Sequence, residues 1–478
     1  MANYYTVYVK PSCLWTDETL IDKRIDAHFY SIKYMQYYNK LMKCKIKKIS
    51  LYNICSRMNS GPFGSALLAS QYVDKGVAFI RPLNCKDYIV DIDNDVVFIS
   101  KEDSERLKSS KFSSGDLIFT KIGNGIGDVA IIPQKIFECN ISGNLMGVKV
   151  KNNIDNYYVL TFLKSIYGQN QIWQGMMNSA KPKIDMDTLK SIVIPIPSPE
   201  IQKYIGDKVR KAEELREEAK RLKKDAEEIF YEAIEIDKLN SKLIKVTKFS
   251  WIKENQIEDR LDLKYNSPSI ITIYEHFRKY KCSLLKDEFK TISGYAFSSG
   301  DFDDMDGEKV IKIGDISDFT IDTTSLTRVK IGTKVKERIR EFSCNIQDLV
   351  YAMTGTIGKV AMYIDNETVY INQRVACIKP KRNNIPTGYL LLYLNSDIGK
   401  EISYSLSTGV AQPNIALEEL NNIVIPQLAN NIMDKIHHNV LNSLIKHKES
   451  KQLIQEAKQD VEDLIEGNFD MSKVKANS

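Results

Sequence analysis

"AKPKIDMDTLKSIVIPIPSPEIQKYI" occupies Ala180–Ile205, and "AQPNIALEELNNIVIPQLANNIMDKI" occupies Ala411–Ile436. Each reads Ala-x-Pro-x-Ile, then a Leu, then Ile-Val-Ile-Pro, then a helix-like segment opening with Ile. Pro182 and Pro413 lie 231 positions apart, as do Pro195 and Pro426. The same offset joins Tyr158-Val159-Leu160 to Tyr389-Leu390-Leu391, Leu163 to Leu394 and Ser165 to Ser396. Further upstream "GDLIFTKIGNGIGDVAII" (Gly115–Ile132) parallels "QDLVYAMTGTIGKVAMY" (Gln347–Tyr363), with one residue more in the first copy. "GVAFIRPLN" (Gly76–Asn84) parallels "EKVIKIGDI" (Glu308–Ile316), and "RIDAHFY" (Arg24–Tyr30) parallels "RLDLKYN" (Arg260–Asn266). Matches kept in one order over so long a span mean a tandem duplication. Its unit of about 230 residues is far longer than a solenoid repeat.

Both copies share one plan. Short alternating runs such as "VAFIRPL", "VVFIS", "DLIFTKI", "DVAII" and "LMGVKV", bounded by Gly, Asn and Asp, are strand signals. A helical stretch, a polar loop and a short strand stopped by proline follow. A long helix closes each copy, over Glu200–Ile236 and Asn430–Glu466. In the first helix Ala212, Leu215, Ala219, Leu222, Ala226, Ile229 and Ala233 recur at spacings of three and four, a heptad seam amid Lys, Arg and Glu. Alanine alternating with leucine lets a partner helix approach closely. The second helix offers Ile454, Ala457, Val461, Leu464 and Ile465, while "KHKESKQ" interrupts its stripe. An intramolecular coiled coil is the reading favoured by this pattern; a helix packed on its own domain is the alternative. The expected boundaries are 1–199 and 238–428 for the two globules, 200–237 and 429–467 for the helices, and 468–478 for a tail.

At 478 residues, 43% hydrophobic and 27% charged, the chain has the composition of a multidomain globular protein. No apolar run approaches the roughly 18–20 residues that span a bilayer. The first residues lack the layout of a signal peptide, so a cytoplasmic location is expected. Eight cysteines are scattered without CxxC or nearby histidine, which reads as reduced thiols with no metal site. A net charge of +5 permits a polyanionic partner without demanding one.

The residues Pro182, Ile184, Leu189, Ile192, Ile194, Pro195, Pro197, Gln202 and Ile205 carry a resemblance. So do Pro413, Ile415, Leu420, Ile423, Ile425, Pro426 and Ile436, together with the "RIDAHFY" and "RLDLKYN" segments. The chain resembles the specificity subunits of type I restriction–modification enzymes over nearly its whole length. One departure is Met433, which stands where the first copy has Gln202. The resemblance implies an α+β chain with two tandem mixed α/β target recognition domains. Each would be followed by a long helix, and the helices would pair as an antiparallel coiled-coil spacer with pseudo-two-fold symmetry. It also implies that each globule reads half of a bipartite site on double-stranded DNA and that two methyltransferase subunits dock equivalently. Restriction or translocase subunits are further partners that it admits. A coiled-coil scaffold or protein-interaction module is the alternative reading.

DNA reading needs polar groups at base edges, held in register by phosphate contacts. Candidates fall at matching loops of the two copies. The loop after "VAFI" offers Arg81 and Asn84, and its counterpart offers Lys312 and Asp315. The glycine loops offer Lys121 and Asn124 against Thr354 and Thr356. The loops at the repeated proline offer Lys181 and Lys183 against Gln412 and Asn414. Each has a plainer reading as a solvated loop residue, and "GNGIG" and "GTIG" read as turns between strands. The apolar frame repeats while these residues change, which suits two half-sites of different sequence.

No catalytic residues are expected. The chain contains no Pro-Pro, so it lacks the Asn/Asp-Pro-Pro-aromatic tetrapeptide with which an adenine methyltransferase holds a flipped base. No Walker lysine motif occurs either. His437 and His438 are neighbours on a helix and point to different faces. The resemblance implies that S-adenosylmethionine is held by the partner methyltransferase rather than by this chain.

Overall fold

The computed structural model describes residues 26–62, 64–123, 125–176, 182–243, 260–303, 306–409 and 412–475. The chain divides into two compact units, Met1–Glu214 with Glu449–Ser478, and Leu215–Lys448. Among the described residues no helix is long and apolar enough to cross a membrane.

In the first unit the strands are β1 Lys48–Ser50, β2 Cys55–Ser60, β3 Val77–Ile80, β4 Val97–Ile99, β5 Lys111–Ser113, β6 Leu117–Thr120, β7 Val129–Ile131, β8 Glu138–Ile141, β9 Leu145–Val150 and β10 Val193–Pro195. They form sheets ordered β2-β9-β6-β7 and β4-β3-β8-β5, plus the pair β1-β10. In the second unit β11 Lys281–Leu284, β12 Phe289–Ser293, β13 Phe302–Asp303, β14 Glu308–Ile311, β15 Thr327–Val329, β16 Ser343–Cys344, β17 Leu349–Ala352, β18 Val360–Met362, β19 Val369–Ile371, β20 Val375–Pro380 and β21 Val424–Gln427 repeat the plan. Their orders are β12-β20-β17-β18, β13-β15-β14-β19-β16 and β11-β21, with β13 the one addition. Even the parallel strand pairing recurs, as β3 with β8 and β14 with β19.

The repeated Ile-Val-Ile-Pro owes its form to shared partners. Ile194 and Ile425 are fully buried, and each strand is closed by the same tyrosine hydroxyl. Tyr158 donates to the Pro195 carbonyl at 2.6 Å, and Tyr389 to the Pro426 carbonyl at 2.6 Å. Both rings are wholly buried, so an unpaired hydroxyl there would cost about 1–3 kcal/mol. The first copy's strand ends at Pro195 as expected, and Pro199 then begins the long helix, a position where a missing N–H costs nothing. In the second copy the strand runs past Pro426 to Gln427, which pairs with Lys281.

The exchange of Gln202 for Met433 is compensated locally. Gln202 accepts the Asp155 N–H at 3.1 Å and donates to the Pro197 carbonyl at 2.9 Å. The residue corresponding to Asp155 in the second copy is Pro386, which has no N–H to satisfy. Arg210, paired with Asp155 at 2.7 Å, corresponds to the apolar Leu441. One polar trio becomes one apolar trio, and the helix start is preserved. The cores show a second exchange of this type. Phe112 packs its ring where a Cβ on Gly147 would sit, whereas the matching positions in the second unit are Cys344 and Cys377, both fully buried.

The long helices span Pro199–Ala233 and Asn430–Glu466. The first stops earlier than expected, because Glu235 has φ +52° and a new helix begins at Ile236. Each compact unit contains the first part of one helix and the last part of the other. In the first unit Ser450 donates to the Ala212 carbonyl at 2.8 Å, and Lys208 meets Asp460 at 2.6 Å. Ala212, Ile454, Ala457 and Val461 lie in one core cluster with Ile205 and Val209. In the second unit Ser443 donates to the Ala219 carbonyl at 2.7 Å, and Lys446 pairs with Glu218 at 2.8 Å. Of the seam positions, Ala212, Leu215, Ala219 and Ala226 are buried, as are Ile454, Ala457 and Val461. Leu222, Ile229, Ala233 and Leu464 are half-buried. Ile465, also of the second stripe, is buried, and in the first helix Phe230 and Ile234 are the buried residues next to Ile229 and Ala233, so that stripe has shifted by one position toward its end. Phe230 meets the rings of Tyr389 and Tyr393 at centroid distances of 6.0 and 6.2 Å, which draws the stripe onto the globule.

Candidate nucleic-acid interface

Segments distant in sequence meet at corresponding places in the two units. In the first, the glycine loop after β6 and the proline loop are joined by the Ile184 N–H donating to the Lys121 carbonyl at 3.1 Å. In the second, Ile415 N–H donates to the Met353 carbonyl at 2.9 Å, and Gly355 N–H to the Pro413 carbonyl at 3.1 Å. The segment that opens each copy joins the same region. Gln174 donates to the Phe29 carbonyl at 2.9 Å, and His28 Nε2 lies 2.9 Å from the Trp173 carbonyl. Arg260 donates to the Leu406 carbonyl at 2.8 Å and Lys264 to the Gly409 carbonyl at 2.9 Å. Arg24 of the first opening segment lies outside the described residues. Gly127 and Gly358 turn the loops at φ +85° and +86°, a backbone conformation that favours glycine.

Several of the expected residues meet here, and others do not. Lys183, Thr356 and Gln412 are exposed on these loops. Thr354 donates to Asn414 Oδ1 at 2.7 Å, and Asn414 exchanges backbone bonds with Thr408, so this pair braces the loop. Lys121 is half-buried and linked through its backbone to Asn144 and Ile184. Asn124 and Lys181 lie outside the described residues. The loop after β3 is built differently from expectation. Asn84 is buried, accepts the Arg81 N–H at 3.0 Å and donates to the Asn94 carbonyl at 3.2 Å. Its amide is consumed within the loop and cannot also reach a base edge. Arg81 donates to the Asp95 carbonyl. In the second copy Asp315 accepts the Lys312 N–H at 2.7 Å, and the Lys312 ammonium sits 4.0 Å from the Phe302 ring centroid. Burial raises the Asp315 carboxyl above its ordinary value. Arg81, Asn84, Lys312 and Asp315 thus shape a short helical turn after each first-sheet strand.

The sequence reading passed over one element of the cluster. The turn between β8 and β9 runs Ser142-Gly143-Asn144-Leu145, closed by Leu145 N–H to the Ser142 carbonyl at 2.9 Å. Lys121 N–H binds the Asn144 carbonyl at 2.8 Å, Gly61 N–H the Leu145 carbonyl at 3.1 Å, and Ser142 N–H the Ile80 carbonyl at 2.9 Å. Between β19 and β20 the turn Asn372-Gln373-Arg374-Val375 is held by the same four bonds. Val375 N–H reaches Asn372, Met353 N–H reaches Arg374, Gly294 N–H reaches Val375 and Asn372 N–H reaches Ile311, at 2.8, 3.1, 2.9 and 3.0 Å. A Cβ on Gly61 would lie 2.0 Å from the Ser142 carbonyl oxygen, and one on Gly294 would lie 2.2 Å from that of Asn372. Both glycines are therefore required for the close crossing. Asn144, Gln373 and Arg374 are exposed. The signal for this turn was present in the repeat, as two polar tripeptides before matching strands.

Two segments of the chain, residues 64–228 and 278–459, match the family model of the type I restriction modification DNA specificity domain. The chain belongs to this family. The paired matches place one such domain in each half of the duplication. The chain is also 26% identical over 124 residues to the type I restriction enzyme EcoBI specificity subunit of Escherichia coli, an alignment spanning 26% of each protein. The S subunit of a type I restriction-modification system from M. genitalium is similar over 90% of this chain and 97% of its own, at 13% identity and a TM-score of 0.46. The HsdS subunit from Thermoanaerobacter tengcongensis is similar over 88% and 97%, at 14% identity and a TM-score of 0.29.

Proposed function

We propose that the chain is the DNA-reading subunit of a type I restriction–modification enzyme, that it recognises a bipartite site, and that it directs adenine methylation by partner subunits. The observation that carries this reading is the conserved frame with altered loops. The same backbone bonds assemble the same loop cluster in each unit, while exposed residues change from Lys183 and Asn144 to Asn414 and Arg374. A frame repeated in this manner suits two half-sites of unlike sequence, each read by its own domain. Backbone amides and lysines would take phosphates, and exposed loop side chains would take base edges.

The helices act as an antiparallel coiled-coil spacer with pseudo-two-fold symmetry. The bonds from Ser450 to Ala212 and from Ser443 to Ala219 support this, because the numbers fall along one helix as they rise along the other. A helix of 37 residues is roughly 55 Å long, or about 16 base pairs of duplex. Two equivalent halves offer equivalent docking sites to two methyltransferase subunits, which would hold S-adenosylmethionine and perform the chemistry. This chain contributes no catalytic group and works in the cytoplasm. Where restriction or translocase subunits join, the same recognition directs cleavage.

The test is native mass spectrometry of the assembly purified from its own cells through a tag on this chain. Two copies of a methyltransferase per chain, with binding of double-stranded DNA, are expected. A complex with neither methyltransferase nor DNA would support the scaffold reading and overturn this one. Lysine substitutions at phosphate contacts should each lower the slope of log K against log salt by about one.

A further inference from the structure

We infer that Arg374 reads a guanine and Asn144 reads an adenine, as the corresponding specificity residues of the two half-sites. This rests on the DNA-reading function above and names the base chemistry of the same loop clusters. Both residues occupy the third position of a four-residue turn whose backbone is fixed by four equivalent hydrogen bonds. Two neighbours of the turn are elements that converge on the cluster. Its own carbonyl at this position is bound by the residue that opens the glycine loop, Lys121 or Met353, and that residue's carbonyl binds Ile184 or Ile415 of the proline loop.

The turn is thus rigid, and its side chains are the variable part. Among the described residues neither the Arg374 guanidinium nor the Asn144 amide has a hydrogen-bond or ion-pair partner, and both residues are exposed. Of the other exposed arginines Arg106 pairs with Asp103, while Arg278 and Arg382, like Arg374, have no side-chain partner among the described residues. An uncommitted guanidinium on a fixed turn keeps its donor fork for an external acceptor pair. In the major groove guanine presents O6 and N7 to such a fork. Adenine presents the N6 donor and N7 acceptor that match one carboxamide. A position that keeps its backbone while changing from Asn to Arg changes the preferred base without moving the domain. Gln373, beside Arg374, replaces Gly143, so the second turn presents two polar side chains where the first presents one.

The experiment is methylome sequencing of the native cells carrying wild-type, Arg374→Ala, Arg374→Lys or Asn144→Ala chain on a multicopy plasmid in place of the chromosomal copy. The wild type should give a bipartite motif. Arg374→Ala should lose selectivity for one guanine in one half, by roughly 10- to 100-fold for a bidentate contact. The other half should be unchanged, and Arg374→Lys should retain part of the preference. Asn144→Ala should relax one adenine in the opposite half. A motif identical to wild type in both alanine variants overturns the inference and leaves the proposed function standing. So does a single substitution that alters both halves, or a variant present at wild-type level that methylates nothing. The absence of any bipartite motif from wild-type cells overturns the proposed function and the inference with it.

Discussion

Replacing Asp460 by Asn should destabilise the first unit and leave the second unchanged. The Asp460 side chain is 2% exposed and is held by Lys208 at 2.6 Å and Lys473 at 2.9 Å. Burial alone would lower the Lys208 ammonium, but its hydrogen bond to Asp460 holds it above its ordinary value. Asparagine keeps the shape and removes the charge. Lys208, 15% exposed, then keeps Glu456 at 3.5 Å and Tyr204, whose ring centroid lies 4.9 Å from its ammonium. Breaking a buried ion pair costs about 3–5 kcal/mol. The Lys473 arm is 42% exposed and contributes little, and Glu456 offsets part of the loss, so about 2–4 kcal/mol is expected. For a unit of this size that is a fall of roughly 5–15 °C. Differential scanning calorimetry, with hydrogen exchange to assign the transition, gives the readout. The double variant Lys208→Met/Asp460→Leu should recover most of the loss, because an apolar pair can replace a buried ionic one. An Asp460→Asn chain whose first unit melts as the wild type does would refute the reasoning. Equal loss in both units would refute it too, since it places the last part of the second helix within the first unit.

Acid should loosen the second unit selectively. His276, whose Nε2 lies 2.8 Å from the Ile234 carbonyl, and His437, whose Nδ1 accepts the Gly388 N–H at 3.0 Å, both titrate below the ordinary histidine value, chiefly because burial disfavours the cation. The unfolded chain binds those protons more readily, so the stability is complete above about pH 6.5 and is lost as pH falls below it. Urea midpoints measured from pH 7.5 to 5.5 should fall for the wild type and fall less for His437→Gln; equal slopes would contradict this. Gly294→Ala and Gly61→Ala each press a Cβ onto backbone oxygen and should cost roughly 1–3 kcal/mol or more, while Gly314→Ala, with nothing within 4 Å, should be close to neutral. Thermal unfolding separates these outcomes, and equal effects at Gly294 and Gly314 would remove the argument for a fixed turn. Deleting one heptad from both long helices, about 10 Å, should shorten the unread gap by about three base pairs and keep both half-site sequences, as read by methylome sequencing.

The duplication was legible because apolar frame residues obey strong packing rules. Ile194 and Ile425, Tyr158 and Tyr389, and Pro195 and Pro426 can be aligned by eye, and the structure gives each pair the same partner. The strands were legible as short apolar runs bounded by turn residues, and burial on both faces, as at Leu117–Thr120 and Leu349–Ala352, accounts for runs that are apolar throughout. Polar loop residues follow no such rule. Asn84 and Lys183 both look like loop donors, yet Asn84 closes a turn beneath the surface and Lys183 faces solvent. Nothing local in the sequence separates them. The turn bearing Asn144 and Arg374 was overlooked because its importance lies in hydrogen bonds from Lys121 and Met353, contacts that only tertiary structure creates. Along the first helix Ala212, Leu215, Ala219 and Ala226 are buried and Leu222 half-buried, and toward its end Phe230 is buried in place of Ile229 and faces Tyr389 and Tyr393. The replacement of Gln202 by Met433 breaks the repeat in the sequence, and it is accommodated because Pro386, at the position of Asp155, has no N–H to offer.

The most direct measurement is the DNA modification pattern of wild-type cells compared with cells lacking this chain. The account predicts a set of methylated adenines that vanishes with the chain and falls in a motif of two unlike half-sites separated by several unread base pairs. A contiguous motif, two identical half-sites, or methylation that persists without the chain would contradict it.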